Sequence, residues 1–315
     1  MRMTAALITA GGLVLFGAVL LIAVVVPWAT IPDKPSDIFR PRTPLEEEGR
    51  SIYIANGCTY CHTQFTRNID WGTGATRVAQ AGDYAEEQPH LLGAERTGPD
   101  LSQEGGEHPD DWHVAHFTNP RYTRPESIMP AFEFLGPRKT KALIAYVQSL
   151  GFRMADGKVG RQRYWKDPLV KAYASGPVEN VEKLHSWVPE GWRTLANPYR
   201  TSREGLARGK RIYEGFCIGC HGPVGDGMGP AQAYLYPPPL NFTILKGRGI
   251  SGGILYYQIM NGITGTAMPY FKGELESEKI WDVGNYVAHT FIGESDAGKA
   301  QGGIPAAYEN SRGGE

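Results

Sequence analysis

Hydrophobic and polar positions divide the chain into an apolar head, two stretches with helical periodicity, and polar joining segments. Residues 3 to 32 carry no charge, and thirteen of those from Ala5 to Trp28 are Leu, Ile, Val or Phe. Each favours a bilayer centre by about 0.3–0.6 kcal/mol. Some 20 residues suffice to span it. A cleaved signal peptide would have a shorter apolar core, about 7–15 residues, followed by a small-residue cleavage site. Here Val-Pro-Trp-Ala-Thr-Ile-Pro follows instead, so a retained transmembrane anchor over 1–32 is expected, with Trp28 at the membrane interface. Charge does not orient it: Arg2 lies on one side, Lys34, Arg40 and Arg42 on the other. Residues 30–43 are Pro-rich and read as an extended spacer.

Thr43, Pro44 and Glu46 form a capping-box start, with Glu46 to Glu48 at the positive end of the helix that follows. Two amphipathic helices are expected further on. The first is Thr140–Leu150, with Leu143, Ile144, Val147 and Leu150 on one face. The second is about Ser277–Phe291, with Ile280, Trp281, Val283, Tyr286 and Val287.

These helices belong to an internal repeat. Gly49-Arg50-Ser51-Ile52-Tyr53 precedes Cys58-Thr59-Tyr60-Cys61-His62, and Gly209-Lys210-Arg211-Ile212-Tyr213 precedes Cys217-Ile218-Gly219-Cys220-His221. Each motif is followed by a Met-Pro, Met129-Pro130 or Met268-Pro269, and then by one of the amphipathic helices. The order helix, cysteine motif, loops, Met-Pro, helix thus occurs twice, over roughly 43–152 and 202–293. Residues 153–201 show no clear period but hold Trp165, Trp187 and Trp192, so they are expected to pack on one or both repeats, or on a partner. Residues 294–315 are rich in Gly, Ser and Glu and are expected to be loose. The domain division is therefore 1–32, 33–152, 153–201, 202–293 and 294–315.

Composition adds little beyond exclusions. With 315 residues and a formal net charge of −1, nothing suggests nucleic-acid binding. The 40 Gly and 23 Pro mean many turns. All four Cys sit in the two Cys-x-x-Cys pairs, leaving none for a structural disulfide.

Cys-x-x-Cys-His is the attachment motif of c-type haem. Two thiols add to the porphyrin vinyl groups, and the His reaches the iron. Two such motifs, each in the same repeat context, outweigh zinc or thiol redox chemistry. Two covalent haem c groups are expected, on Cys58 with Cys61 and on Cys217 with Cys220. His62 and His221 are the proximal iron ligands. A thioether as second ligand raises the reduction potential. Met129 lies 67 residues after His62, and Met268 lies 47 after His221; both precede Pro in turn-rich loops, which favours ligation over core filling. Met154, Met228 and Met260 are read as packing residues. In Thr97-Gly98-Pro99-Asp100-Leu101, the Pro99 carbonyl is expected to receive the His62 Nδ1–H and fix the ring. Pro237-Pro238-Pro239 fills the same slot for His221, with Pro238 and Pro239 as the candidates. Asp110–His116 reads as a helix start carrying His113 and His116 on one face. Packing is the main reading for these two, with a metal site or a partner contact as alternatives. His90, His108, His185 and His289 receive no role.

Through several of these motifs, residues 44–152 resemble the monohaem subunit of cbb3-type cytochrome c oxidases. The resemblance runs through Asn-Gly-Cys-x-Tyr-Cys-His-Thr-Gln, Arg-Thr-Gly-Pro-Asp-Leu, Asp-Asp-Trp-His-Val-Ala-His-Phe and Pro-Glu-Ser-Ile-Met-Pro-Ala-Phe. The 63–97 insertion is similar as well. Residues 202–293 resemble class I cytochrome c domains of that oxidase's dihaem subunit, through Cys-His-Gly, Gly-Asp-Gly-x-Gly-Pro and Pro-Pro-Pro-Leu-Asn-Phe. The resemblance implies a mainly α fold: one transmembrane helix, then two class I cytochrome c domains. It implies electron transfer from a soluble cytochrome c or other periplasmic donor to the catalytic membrane subunit of a haem–copper oxidase. It also implies a single-pass protein in a bacterial cytoplasmic membrane, with its haem domains in the periplasm. The monohaem subunit normally ends after its first domain, so the fused second cytochrome keeps a nitric oxide reductase or a quinol-oxidising complex open as the partner. No nucleophile–base pair, phosphate loop or paired carboxylates stand out, so no catalytic centre of its own is expected. A dihaem peroxidase would require one iron with a vacant position.

Overall fold

The computed structural model describes residues 4–30, 34–73, 75–93, 95–199, 201–248 and 250–293. The expected loose tail, 294–315, lies outside the described residues. Among those described the architecture is helical, with one isolated bridge between Lys272 and Leu275 in place of any sheet.

The chain divides into two compact units, Met1–Phe39 with Gln80–His90, and Arg40–Ala79 with the rest from Leu91. The first unit carries helix α1, Ala5–Thr30, with mean hydropathy 2.6 and no part of it buried. It is the one described helix long and apolar enough to cross a membrane. Trp28 is exposed near its end. In the same unit Ser36 N donates to Gly82 O at 2.9 Å.

The second unit holds both repeats. Helix α2, Pro44–Ala55, opens the first with the expected capping box: the Thr43 hydroxyl accepts from Glu46 N, and the Glu46 carboxylate accepts from Thr43 N at 2.7 Å. Helix α3 is Asp110–Thr118, and α4 is Gly136–Gln148, one turn earlier at its start than the apolar face alone indicates. Helices α2 and α4 cross closely because Gly49 has no side chain: a Cβ there would lie 1.9 Å from Ala142 O. The second repeat is built alike. Helix α7, Arg203–Ile212, is capped by Ser202 and crosses α9, Ser277–Val287; a Cβ on Gly209 would lie 2.2 Å from Asp282 O. Larger residues at either crossing overpack it, typically at about 1–3 kcal/mol. Tyr53 packs on Tyr146 and Tyr213 on Tyr286, with centroids 5.2 and 5.6 Å apart. The Gly-x-x-x-Tyr of the sequence repeat is therefore a helix-crossing contact.

Residues 153–201 are not irregular. They form α5, Phe152–Ser175, then α6, Pro177–Ser186, and a helical turn at Glu190–Arg193. Only Phe152, Ala155 and Leu169 of α5 are buried, too few to give a readable period. Its polar side chains hold it to the first repeat through Arg40–Asp156 at 2.8 Å, Lys158–Glu107, and Lys166–Asp111 at 2.7 Å. Toward the second repeat, Trp192 stacks on Tyr256 at 5.7 Å, and Asn197 donates to Asn285 at 3.0 Å. In the second repeat, helix α8 spans Gly252–Asn261. Arg40 and Arg42 also have protein partners. Arg40 pairs with Glu46 and Asp156, and Arg42 reaches Ser149 and lies over the Tyr146 and Phe152 rings.

Candidate haem sites

Helix α2 ends at Ala55, and Gly57 (φ +69°) turns the chain into Cys58-Thr59-Tyr60-Cys61-His62. The motif is wound so that His62 N donates to Cys58 O at 3.0 Å. His62 Nδ1 donates to Pro99 O at 2.8 Å. That bond commits the Nδ1 proton and leaves Nε2 as the ring's free lone pair, the tautomer a metal ligand needs. Gly98 lies flat against the ring; a Cβ there would sit 2.3 Å from His62 Cε1. The turn is anchored by Asp100, whose carboxylate accepts from Phe65 N at 2.9 Å, Ser102 N at 3.0 Å and the Thr63 hydroxyl. Arg96 joins Asp100 to Asp70, donating to Asp70 at 2.7 and 2.9 Å. The guanidinium beside Asp70 holds its carboxyl well below the usual carboxylate range. Sequence reasoning missed this network: Arg96 and Asp100 stand in the Arg-Thr-Gly-Pro-Asp-Leu motif, but nothing there points to Asp70, 26 residues before Arg96. Met129 and Cys58 border one apolar cluster that includes Tyr53, Phe117, Leu143 and Val147.

In the second repeat α7 runs through a wider turn, Tyr213–Cys217, into Ile218–His221. Tyr213 Oη donates to Gly222 O at 2.6 Å, tying the helix to the end of the motif. His221 Nδ1 donates to Leu240 O at 3.1 Å, and Phe242 stacks on the ring at 4.4 Å. This corrects the expectation for Pro238 and Pro239: neither carbonyl meets His221. The Pro239 carbonyl is turned to the backbone of Gly227, where a Cβ would lie 2.5 Å from it, so the next carbonyl faces the ring. Burial pushes His221 down to about 4 against the Leu240 hydrogen bond, so the imidazole is neutral near pH 7. Cys217 packs against a cluster with Tyr213, Leu245, Val283 and Val287.

The two Met loops share a device the sequence pattern only hinted at. Met129 N donates to Ser127 Oγ at 3.2 Å, and Met268 N donates to Thr266 Oγ1 at 3.1 Å. The hydroxyl two residues earlier fixes the local turn in both.

Burial pushes the Cys58 thiol up to about 11 and those of Cys217 and Cys220 up to about 12. As free thiols these three would be protonated at neutral pH, unlike the activated thiolate of a redox Cys-x-x-Cys. Among the described residues no group of three or more His, Cys, Asp or Glu could hold a metal ion. A Met-Pro loop, an imidazole with a committed Nδ1 and a vicinal cysteine pair recur in both repeats, and they fit the donor set of c-type haem.

His113 and His116 lie on α3. His113 is buried, and its Nε2 has no hydrogen-bond partner; His116 Nδ1 meets Thr123 Oγ1 at 2.6 Å. Trp112 stacks on His108 at 3.8 Å and on His116 at 4.5 Å. Burial pushes His113 down to about 4 and His116 to about 3, so both are neutral packing groups near pH 7. Met260 is buried, whereas Met228 is 72% exposed and packs against little.

Gly98→Val is expected to drive the His62 ring off its carbonyl. The first site would then lose its low-spin ferric spectrum while the second keeps it, as site-resolved absorption or magnetic spectra would report.

Helical fold and paired sites together define a c-type cytochrome. Residues 2–141 match the family described as cytochrome C oxidase, mono-heme subunit/FixO, and residues 204–287 match cytochrome C oxidase, cbb3-type, subunit III. The first part of the chain is thus similar to the mono-heme subunit family, and a cbb3-type cytochrome c domain is fused after it. It is also similar to a subunit of nicotinate dehydrogenase from Pseudomonas putida, 25% identical over 253 residues, which are 73% of this chain and 19% of that protein. The chain thus spans about a fifth of that relative's length. Cytochromes c6 of Parathermosynechococcus lividus and Synechococcus elongatus are 34% identical over 83 residues, covering 26% of this chain and 86% of each. A chain of the Kuenenia stuttgartiensis reducing HAO-like protein complex aligns over 82% of this chain and 98% of its own, at 19% identity and a TM-score of 0.29, a likeness too weak to carry an argument.

Proposed function

We propose that the chain is a membrane-anchored dihaem electron carrier that serves the catalytic subunit of a cbb3-type haem–copper oxidase. The observation that carries this reading is the duplicated site: two Cys-x-x-Cys-His motifs, each with its imidazole Nδ1 on a backbone carbonyl and a Met-Pro loop in the same repeat. Bound haem c supplies one-electron iron chemistry, and the protein supplies everything else. Cys58, Cys61, Cys217 and Cys220 tether the groups. His62 and His221 would ligate the iron through Nε2, and Met129 and Met268 through their thioethers. Pro99 O and Leu240 O fix the two proximal rings. With His62 and Met129 holding one iron and His221 and Met268 the other, neither bound group would keep a position for oxygen, so the chain would conduct electrons and leave reduction of the substrate to its partner. The order of travel is donor, second site, first site, catalytic subunit, the first site lying in the part similar to the mono-heme subunit family.

Covalent haem attachment in bacteria takes place outside the cytoplasmic membrane. Both domains therefore face the periplasm, with α1 anchoring them in the bilayer and Arg2 on the cytoplasmic side. The test is purification of the full chain with its native partners in mild detergent. A co-eluting subunit with haem b and copper is the expected result. A partner carrying non-haem iron would overturn the oxidase assignment in favour of a nitric oxide reductase.

A further inference from the structure

The second site's attachment motif rests on the first domain. Gly219, between Cys217 and Cys220, is buried against the backbone of the segment that follows α3. A Cβ on it would lie 2.2 Å from Tyr122 O and 3.4 Å from Arg121 O. Glycine here admits the carbonyl of one domain into the cysteine motif of the other. Cys220 and Tyr122 border the same small apolar cluster, built from Ala115 on α3 and Ala231, Leu235 and Ala267 of the second domain. Ala267 immediately precedes Met268. Tyr122 also stacks on Tyr234 with centroids 5.9 Å apart. From the same segment Arg121 Nη2 donates to Met129 O at 3.1 Å. Arg124 pairs with Glu274, and its guanidinium lies 4.8 Å over the ring of Phe216, the residue before Cys217.

We propose that the Arg121–Tyr122 segment is the internal bridge between the two haem sites, with Gly219 as the residue that lets the second attachment motif seat on it and Arg124–Glu274 as the clamp that keeps it seated. The inference rests on the dihaem reading above. The bridge runs from the Cys220 side of the second site across the Gly219–Tyr122 contact to Arg121, and by one hydrogen bond to the backbone of Met129. Electron tunnelling falls off far faster across a gap than through packed and bonded atoms, so a seated contact of this kind sets the rate. The step is a one-electron exchange: ferrous iron at the second site is oxidised, ferric iron at the first is reduced, and no proton or bond is transferred. Gly219 and Arg124 are positioning residues.

The test uses the full chain in detergent as wild type, Gly219→Leu, Arg124→Glu, and the swapped double variant Arg124→Glu with Glu274→Arg. Haem content and both reduction potentials are measured first. A single electron is then injected by flash photolysis, and its redistribution between the two haems is followed. Amide exchange over residues 119–131 reports whether the contact is seated, independently of electron transfer. The expected result for Gly219→Leu and Arg124→Glu is faster exchange in that segment and redistribution slowed roughly tenfold, with the two potentials unchanged. The charge-swapped double variant is expected to recover both exchange protection and rate. Faster exchange with redistribution at the wild-type rate would overturn the proposal. So would unchanged exchange in both single variants, because the contact would then not exist as described. If Gly219→Leu fails to mature, the Arg124 and Glu274 variants decide alone. A wild-type protein with one haem, or without thioether ligation, would sink the dihaem reading instead, and its haem count and potentials separate that failure from failure of the bridge.

Discussion

Cys217→Ser combined with Cys220→Ser is expected to halve the covalent haem content, from two per polypeptide to one, and to leave the first site spectroscopically intact. Each domain has its own main apolar cluster and its own helix crossing, and the small cluster they share touches Cys220 but neither Cys58 nor Cys61, so attachment at Cys58 and Cys61 does not depend on the second motif. The damage within the second domain should be large. Tyr213, Leu245, Val283 and Val287 form a cluster with Cys217 at its border. Without a tethered porphyrin the apolar surface around that border loses its main contact, a loss of the kind that costs about 3–5 kcal/mol when a single large aromatic is removed from a core. Residues 202–293 should therefore become the protease-sensitive part of the chain. The reciprocal change, Cys58→Ser with Cys61→Ser, should leave the second haem in place. Haem absorbance of the denatured, purified protein and its intact mass read both outcomes. Two covalent haems in either double variant would mean that the cysteines are misassigned.

Much of this was legible in the sequence, for a physical reason. Capping boxes and Cys-x-x-Cys-His are local patterns whose chemistry fits within a few residues. Thr43 to Glu46 accordingly folds as local rules dictate. What escaped reading depends on distant partners. Helix α5 has too narrow a buried stripe to show a period, and it is held by ion pairs to Glu107 and Asp111, more than fifty residues away in sequence. The Arg96, Asp70 and Asp100 network is likewise a product of the 63–97 insertion folding back. The His221 partner was missed by one position. A Pro-rich run indicates that a carbonyl will face the ring, but contact with Gly227 decides which.

Met129→His and Met268→His are expected to have opposite consequences for throughput, although they make the same chemical change. Each replaces a thioether by an imidazole, which favours ferric iron. The affected potential should fall by ~0.2 V, a quarter of the about 0.8 V that axial ligands can span. For one electron about 59 mV is a factor of ten, so the reduced population at the altered site drops by roughly three orders of magnitude. On the proposed order of travel, in Met129→His that loss falls on the last carrier before the catalytic subunit. Electrons entering at the second site would then face an uphill step toward the first, and oxygen consumption should collapse. In Met268→His the second site becomes harder to reduce, but its transfer onward becomes more favourable. The rate should then depend on how strongly reducing the donor is, and a low-potential chemical donor should restore it. Redox titration establishes the two potentials, and oxygen uptake with donors of graded potential supplies the test. If a low-potential donor rescued Met129→His and not Met268→His, electrons would enter at the first site, and the order of travel would be the reverse of the one proposed.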